Sequence, residues 1–166
     1  MPEATWSYPK ARPRTTETIA LHMESTTFTI TSRGGRVQRR SRTTGEMVEE
    51  FIAPGPEAPL EHHFQHDAHH LYASTSGALH WVHNDNILAK VQSSGPIQSA
   101  TWDERWQGWR VAGWREELLL SQQKVAQHAW DEIPTAVVQQ NERTLILFND
   151  GSWAESAFET PSQEVD

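Results

Sequence analysis

Short apolar runs, several alternating with polar residues at period two, recur along most of this 166-residue chain. In TTFTIT (26–31) Phe28 and Ile30 alternate with threonines, which predicts a strand with one side against a core. Gly34-Gly35 suits a two-residue hairpin turn. The return run, Arg36 to Thr43, carries Val37 among polar residues, as expected near a sheet edge. Met47 to Ile52 predicts another short strand, and APGPEAP (53–59) a rigid connector. Beyond it, turn signals at Ser76-Gly77, Asn84-Asp85-Asn86, Ser93 to Pro96, Gln122-Gln123 and Asn149 to Gly151 separate apolar runs. These runs cover 78–82, 87–91, 97–102, 109–114, 118–120, 125–130, 135–138 and 145–148. Such spacing predicts an antiparallel meander. Residues 115–128 fit either a helix or two strands, and LLL followed by polar SQQK favours strand, turn, strand.

A faint repeat runs through the same region. Residues 87–104 resemble 117–132, both ending in Trp-Asp-Glu, and 144–155 form a looser third copy. The unit is shorter than a propeller blade and the copies are too few for one. The expected fold is therefore all-β, a single-domain antiparallel meander forming a small barrel or sandwich. The expected β-domain spans 18–158. An N-terminal arm (1–17) precedes it, in which Pro2, Pro9 and Pro13 break any helix and Trp6 and Tyr8 can pin the arm down. A C-terminal tail covers 159–166.

The composition, 36% hydrophobic with eight tryptophans, supports one proper core. Absence of cysteine excludes disulfides and thiolate metal sites. No apolar run approaches the ~20 residues of a membrane span, and Met1 to Arg14 is polar rather than a leader. The expectation is a cytoplasmic protein without membrane attachment. Net charge is −8, yet residues 1–42 hold eight of the fourteen Lys and Arg. The acidic bulk argues against general nucleic-acid binding. Arg33, Arg36, Arg39 and Arg40 around the Gly34-Gly35 hairpin form a candidate dock for an acidic partner. The bland alternative pairs them with Glu46, Glu49 and Glu50.

Trp102, Trp106, Trp109 and Trp114 lie together in TWDERWQGWRVAGW. Exposed aromatic faces stack on sugars, bases and other flat groups, carboxylates such as Asp103 and Glu104 hold hydroxyls, and Arg105 and Arg110 can stack on the same rings. Four tryptophans so close cannot all point inward if two strands meet at Gln107-Gly108. The expectation is an aromatic groove built on Trp102, Asp103, Arg105, Trp106, Trp109 and Arg110. Its ligand would be a small molecule, a glycan or a partner protein.

Residues 61–83 hold seven of the nine histidines, the groups best suited to bind metal or move protons near neutral pH. His62 and His63, just after the connector, read as solvated. A helical turn over 66–70 would bring His66 beside His69 and His70, with Asp67 or Glu61 as a carboxylate. On a strand His80 and Trp81 point opposite ways. His66 and His69 with His80 or His83 form a candidate site for a divalent transition metal. His66-Asp67-Ala68-His69, Leu71, Ser76-Gly77 and Leu79 resemble the first motif of the cupins. That resemblance implies a small antiparallel β-barrel and, in many members, a metal held by histidines from two motifs. The family's glutamate is missing between His70 and Gly77, and so is its second motif, a proline-glycine turn followed by histidine. The late His128 lacks that turn.

No nucleophile elbow, phosphate-binding glycine loop, dinucleotide fingerprint or HExxH occurs, and no catalytic residue is singled out. The leading expectation is a non-catalytic binding module using the aromatic groove. The alternatives are a cupin-like metal protein or enzyme, and a regulatory protein docking an acidic partner on the arginine hairpin.

Overall fold

The structure is a computed structural model and describes residues 17–57 and 59–159. The expected N-terminal arm, with Trp6 and Tyr8, and the tail beyond Glu159 lie outside the described residues. Fifteen antiparallel strands and no helix occur among the described residues. They form four sheets, each a meander in chain order. Blade 1 comprises β1 (Thr18–Met23), β2 (Thr27–Ser32), β3 (Arg36–Ser41) and β4 (Met47–Ile52). Blade 2 comprises β5 (Leu60–His66), β6 (His69–Ser74), β7 (Ala78–His83) and β8 (Asn86–Gln92). Blade 3 comprises β9 (Ser99–Asp103), β10 (Gly108–Ala112), β11 (Glu116–Leu120) and β12 (Val125–Ala129). Blade 4 comprises β13 (Pro134–Gln140), β14 (Arg143–Phe148) and β15 (Trp153–Glu155).

The expected strands from 26 onward are largely present, and residues 115–128 are indeed strand, turn and strand. The hairpins have local causes. Asn84 and Asp85 both take positive φ, 49° and 64°, the conformation a two-residue type I′ turn demands and one that Asn and Asp tolerate. Asp67, at φ 50°, opens the β5–β6 turn. The helical turn expected over 66–70 is thus a tight hairpin, and it still sets His66 opposite His69.

The barrel or sandwich expectation is corrected. Strand pairing stops at each connector, so no continuous ladder closes on itself. The first strands instead pack side by side, β1 on β5, β5 on β9 and β9 on β13, so the sheets radiate from a common line like propeller blades. First strands begin at Thr18, Leu60, Ser99 and Pro134, giving structural repeats of 42, 39 and 35 residues. The short repeat seen in the sequence does not track this period. It matches β8 and β9, which lie in different blades and do not pair, with the hairpin β11–β12, so the likeness is one of short strand–turn–strand runs and not of a structural unit.

The main core fills the space between blades 2 and 3. Leu71, Leu79 and Trp81 meet Trp109, Val111, Leu118 and Leu120, all essentially inaccessible. A smaller cluster, Leu60, Tyr72 and Val82 with Ile19 and Ala53, sits between blades 1 and 2. Between blades 3 and 4 the buried centre is mixed, with Leu119, Ile146 and Phe148 beside a polar cluster. Arg110 forms an ion pair with Asp103 and donates to the Phe158 carbonyl.

Candidate functional site

The hairpins after the first strand of each sheet, and after the third in blades 1 to 3, lie at one end of the array, and polar contacts join blade to blade there. Gln65 donates to Glu24 at 3.1 Å, His66 Nε2 lies 3.2 Å from Glu104, and Arg105 lies 4.0 Å from Glu142. Between each pair of neighbouring blades a cleft opens at this end. The cleft centred on blades 2 and 3 holds about 370 Å³ and is lined by His22, Phe64, His66, Trp102, Glu104 and Trp109, among others. The cleft of blades 1 and 2, about 320 Å³, is polar, with Arg39, Glu49, Asp67, His70 and Asp85 on its walls. The third, about 130 Å³, lies between blades 3 and 4.

The middle cleft is an aromatic groove. Trp102 lies between two histidine rings, His66 at 4.8 Å and His69 at 4.4 Å, and His83 extends the stack at 4.1 Å from His69. Strand register explains this. His66, His69 and His83 are cross-strand neighbours on one face of blade 2, the face turned to blade 3. Trp81 Nε1 donates to His69 Nδ1 at 3.1 Å, which puts the His69 proton on Nε2. Burial lowers the His69 pKa, assisted by neighbouring His83 and His66, so the ring stays neutral near pH 7. The indole N–H groups of Trp102 and Trp109 are buried without an acceptor, at a desolvation cost of about 1–3 kcal/mol each.

Trp102, Trp109 and Glu104 line this groove together. Trp106 does not; its N–H donates to the Glu159 carbonyl. Asp103 and Arg110 lie on the opposite sheet face, in the buried ion pair toward blade 4, and Arg105 reaches Glu142 in the third cleft. The candidate metal set divides similarly. His80 lies on the other face of β7, near the Pro54 carbonyl, and burial lowers its pKa. His66, His69 and His83 stack ring on ring instead of aiming nitrogens at one point. Among the described residues no three His, Asp or Glu groups are placed to hold a metal ion.

The arginines do not form one patch. Arg33 pairs with Glu17, Arg36 with Glu50 and Arg39 with Glu49, while Arg40 bonds Gln38 and the Gly45 carbonyl. Arg39 faces blade 2, whereas Arg36 and Arg40 face away from it.

Sequence reasoning missed a second histidine cluster. His63 is not solvated; it is 3% exposed between blades 1 and 2. Its Nδ1 is 2.6 Å from the buried Thr31 hydroxyl, its Nε2 is 2.8 Å from His70 Nδ1, and Tyr72 stacks on it at 4.5 Å. The Leu60/His62 bulge decides this, because it shifts the inward register after the connector. Burial holds the His63 pKa well below its usual value, and His22 and His70 depress it further. The His70 pKa is lowered for the same reason, burial first. These histidines fold neutral and charge when unfolded. Their stability contribution is present above about pH 6.5 and lost as pH falls through the lower folded values. The unfolding free energy, followed by denaturant titration, is expected to drop between about pH 7.5 and 5 as these rings are driven to charge. His63→Gln should flatten that slope; an unchanged slope would remove His63 as its source.

No family model matches the sequence, and no curated protein matches it closely enough to count as a relative. Among the described residues no helix is long and apolar enough to cross a membrane. Many solved structures share the fold. The computationally designed Ika4 protein is 10% identical with a TM-score of 0.64, covering 85% of this chain and 91% of its own. The WD40 domain of Pan2 from Neurospora crassa is 13% identical with a TM-score of 0.62, covering 92% of this chain and 49% of its own. The WD40 β-propeller domain of Doa1 is 12% identical with a TM-score of 0.65, covering 85% and 51%. This chain therefore spans about half the length of either WD40 structure, and at such identities the likeness is one of fold: the chain is an all-β arc of propeller blades.

Proposed function

We propose that this protein is a non-catalytic interaction module that takes a protein partner at the cleft-bearing end of its blades, centred on the Trp102 groove. The observation that carries this reading is the His66–Trp102–His69 stack beside Glu104, over two indole N–H donors that lack acceptors. A planar cationic side chain suits such a place. An arginine of the partner would stack on the aromatic rings and pair with Glu104. The propeller fold agrees with a rigid platform whose loops carry recognition. The aromatic groove favours this reading over a metal centre on the histidines or an acidic partner on the already paired arginines.

A peptide library panned against the protein tests it. Bound peptides are expected to be rich in arginine, to change tryptophan fluorescence on titration, and to bind Trp102→Ala and Glu104→Gln at least tenfold more weakly. A tenfold loss corresponds to about 1.4 kcal/mol. Equal binding by folded Trp102→Ala would place recognition elsewhere.

A further inference from the structure

The four blades form an open arc. Packing of the kind that joins β1 to β5 and β9 to β13 does not join β13 back to β1 among the described elements. The arc superposes on about half of each longer WD40 structure, so its curvature leaves room for a second set of roughly equal size. Among the described residues both open ends are apolar. On blade 1, cross-strand register puts Leu21, Met23, Ile30, Met47 and Ile52 on the face turned away from blade 2. Leu21 is 59% exposed and Ile52 68%. On blade 4, Val138, Leu145, Leu147 and Trp153 occupy the face turned away from blade 3, and Trp153 is 57% exposed. Faces of this kind between blades 2 and 3 are fully covered.

The ends also differ in charge. Residues 17–53 balance five arginines with five glutamates, whereas residues 131–159 have six carboxylates against one arginine. Arg36 lies on the open face of blade 1, paired with Glu50, and Glu155 on that of blade 4, paired with Arg143, so charge adds little and the apolar faces carry the contact.

We propose that two copies of this chain close one ring, with blade 4 of each packing on blade 1 of the other. A two-fold axis then creates two identical junctions and leaves neither apolar face in water. A heterologous contact that closes in this way ends at the dimer instead of growing into a filament.

Light scattering on the full 166-residue chain at micromolar concentration tests the proposal. The expected mass is twice the 18.9 kDa of one chain. Leu21→Glu and Trp153→Glu should each give folded monomers, because either change damages both junctions. Val125→Glu, at an exposed position in blade 3, should leave the dimer intact. Mixing the Leu21→Glu and Trp153→Glu proteins should restore dimers, since one undamaged blade 4 then meets one undamaged blade 1. A monomeric wild-type protein would overturn the proposal and leave the ends to another occupant. So would a dimer broken by only one of the two variants, which would mean like faces pairing, or mixed variants that stay monomeric.

Discussion

Arg110→Met should cost about 3–5 kcal/mol of folding stability, the range for breaking a buried ion pair by removing one partner. Arg110 is 1% exposed. Its Nε donates to Asp103, Nη1 to the Ser156 hydroxyl at 2.9 Å and Nη2 to the Phe158 carbonyl at 3.1 Å. Ser156 in turn donates to Glu117, which also accepts from the Ala157 amide. Loss of the guanidinium strands a buried carboxylate and frees the segment that ties blade 4 to blade 3. Denaturant unfolding measures the loss, and hydrogen exchange should rise across 153–158. Adding Asp103→Asn should recover a large part, because asparagine removes the stranded charge. It also keeps an oxygen for the Arg105 and Trp106 amides that Asp103 now holds. If the double variant is no more stable than Arg110→Met, the stranded-charge explanation fails.

Trp81→Ala should cost about as much, ~3–5 kcal/mol, by a different mechanism. Trp81 is 1% exposed at the junction of blades 2 and 3, in edge contact with Trp102 at 6.1 Å. Truncation opens a cavity in the largest core cluster and removes the donor that fixes His69. Trp81→Phe should lose clearly less, since most of the ring volume stays while the N–H is absent. The two unfolding midpoints therefore separate packing from the hydrogen bond. A cost below about 1 kcal/mol for the alanine variant would be ordinary surface behaviour and would contradict the burial. Because the His66–Trp102–His69 stack rests on Trp81, the alanine variant should also weaken peptide binding at the groove.

Much of the strand map is written in local pattern. TTFTIT announces β2 by its alternation, although the face packed on blade 2 is that of Thr29 and Thr31 while Ile30 lies on the open face, and Asn84-Asp85 marks its hairpin by backbone preference alone. The strands β5 and β6 were less legible, because LEHHFQH and HHLYAS lie between two other blades. With both faces covered, polar histidines enter the interior and the apolar–polar contrast fades. The groove was partly legible for the opposite reason. Period two separates Trp102 from Asp103 and Trp109 from Arg110, so each neighbouring pair divides between two interfaces. Applied strictly, that rule assigns the tryptophans and the ion pair to different sides.

Alternation, turn chemistry and composition determined that the chain is all-β, where most hairpins fall, and that its tryptophans cannot all be core. Tertiary structure alone decided that the sheets radiate as blades instead of closing into a barrel. It also decided that His63 is buried while His66 lines a cleft, and that among the described residues both end faces stay open. The physical reason is that a strand's period defines two faces but not what covers them. That depends on the packing of sheets distant in sequence, and at Leu60 and His62 a single bulge was enough to shift the register.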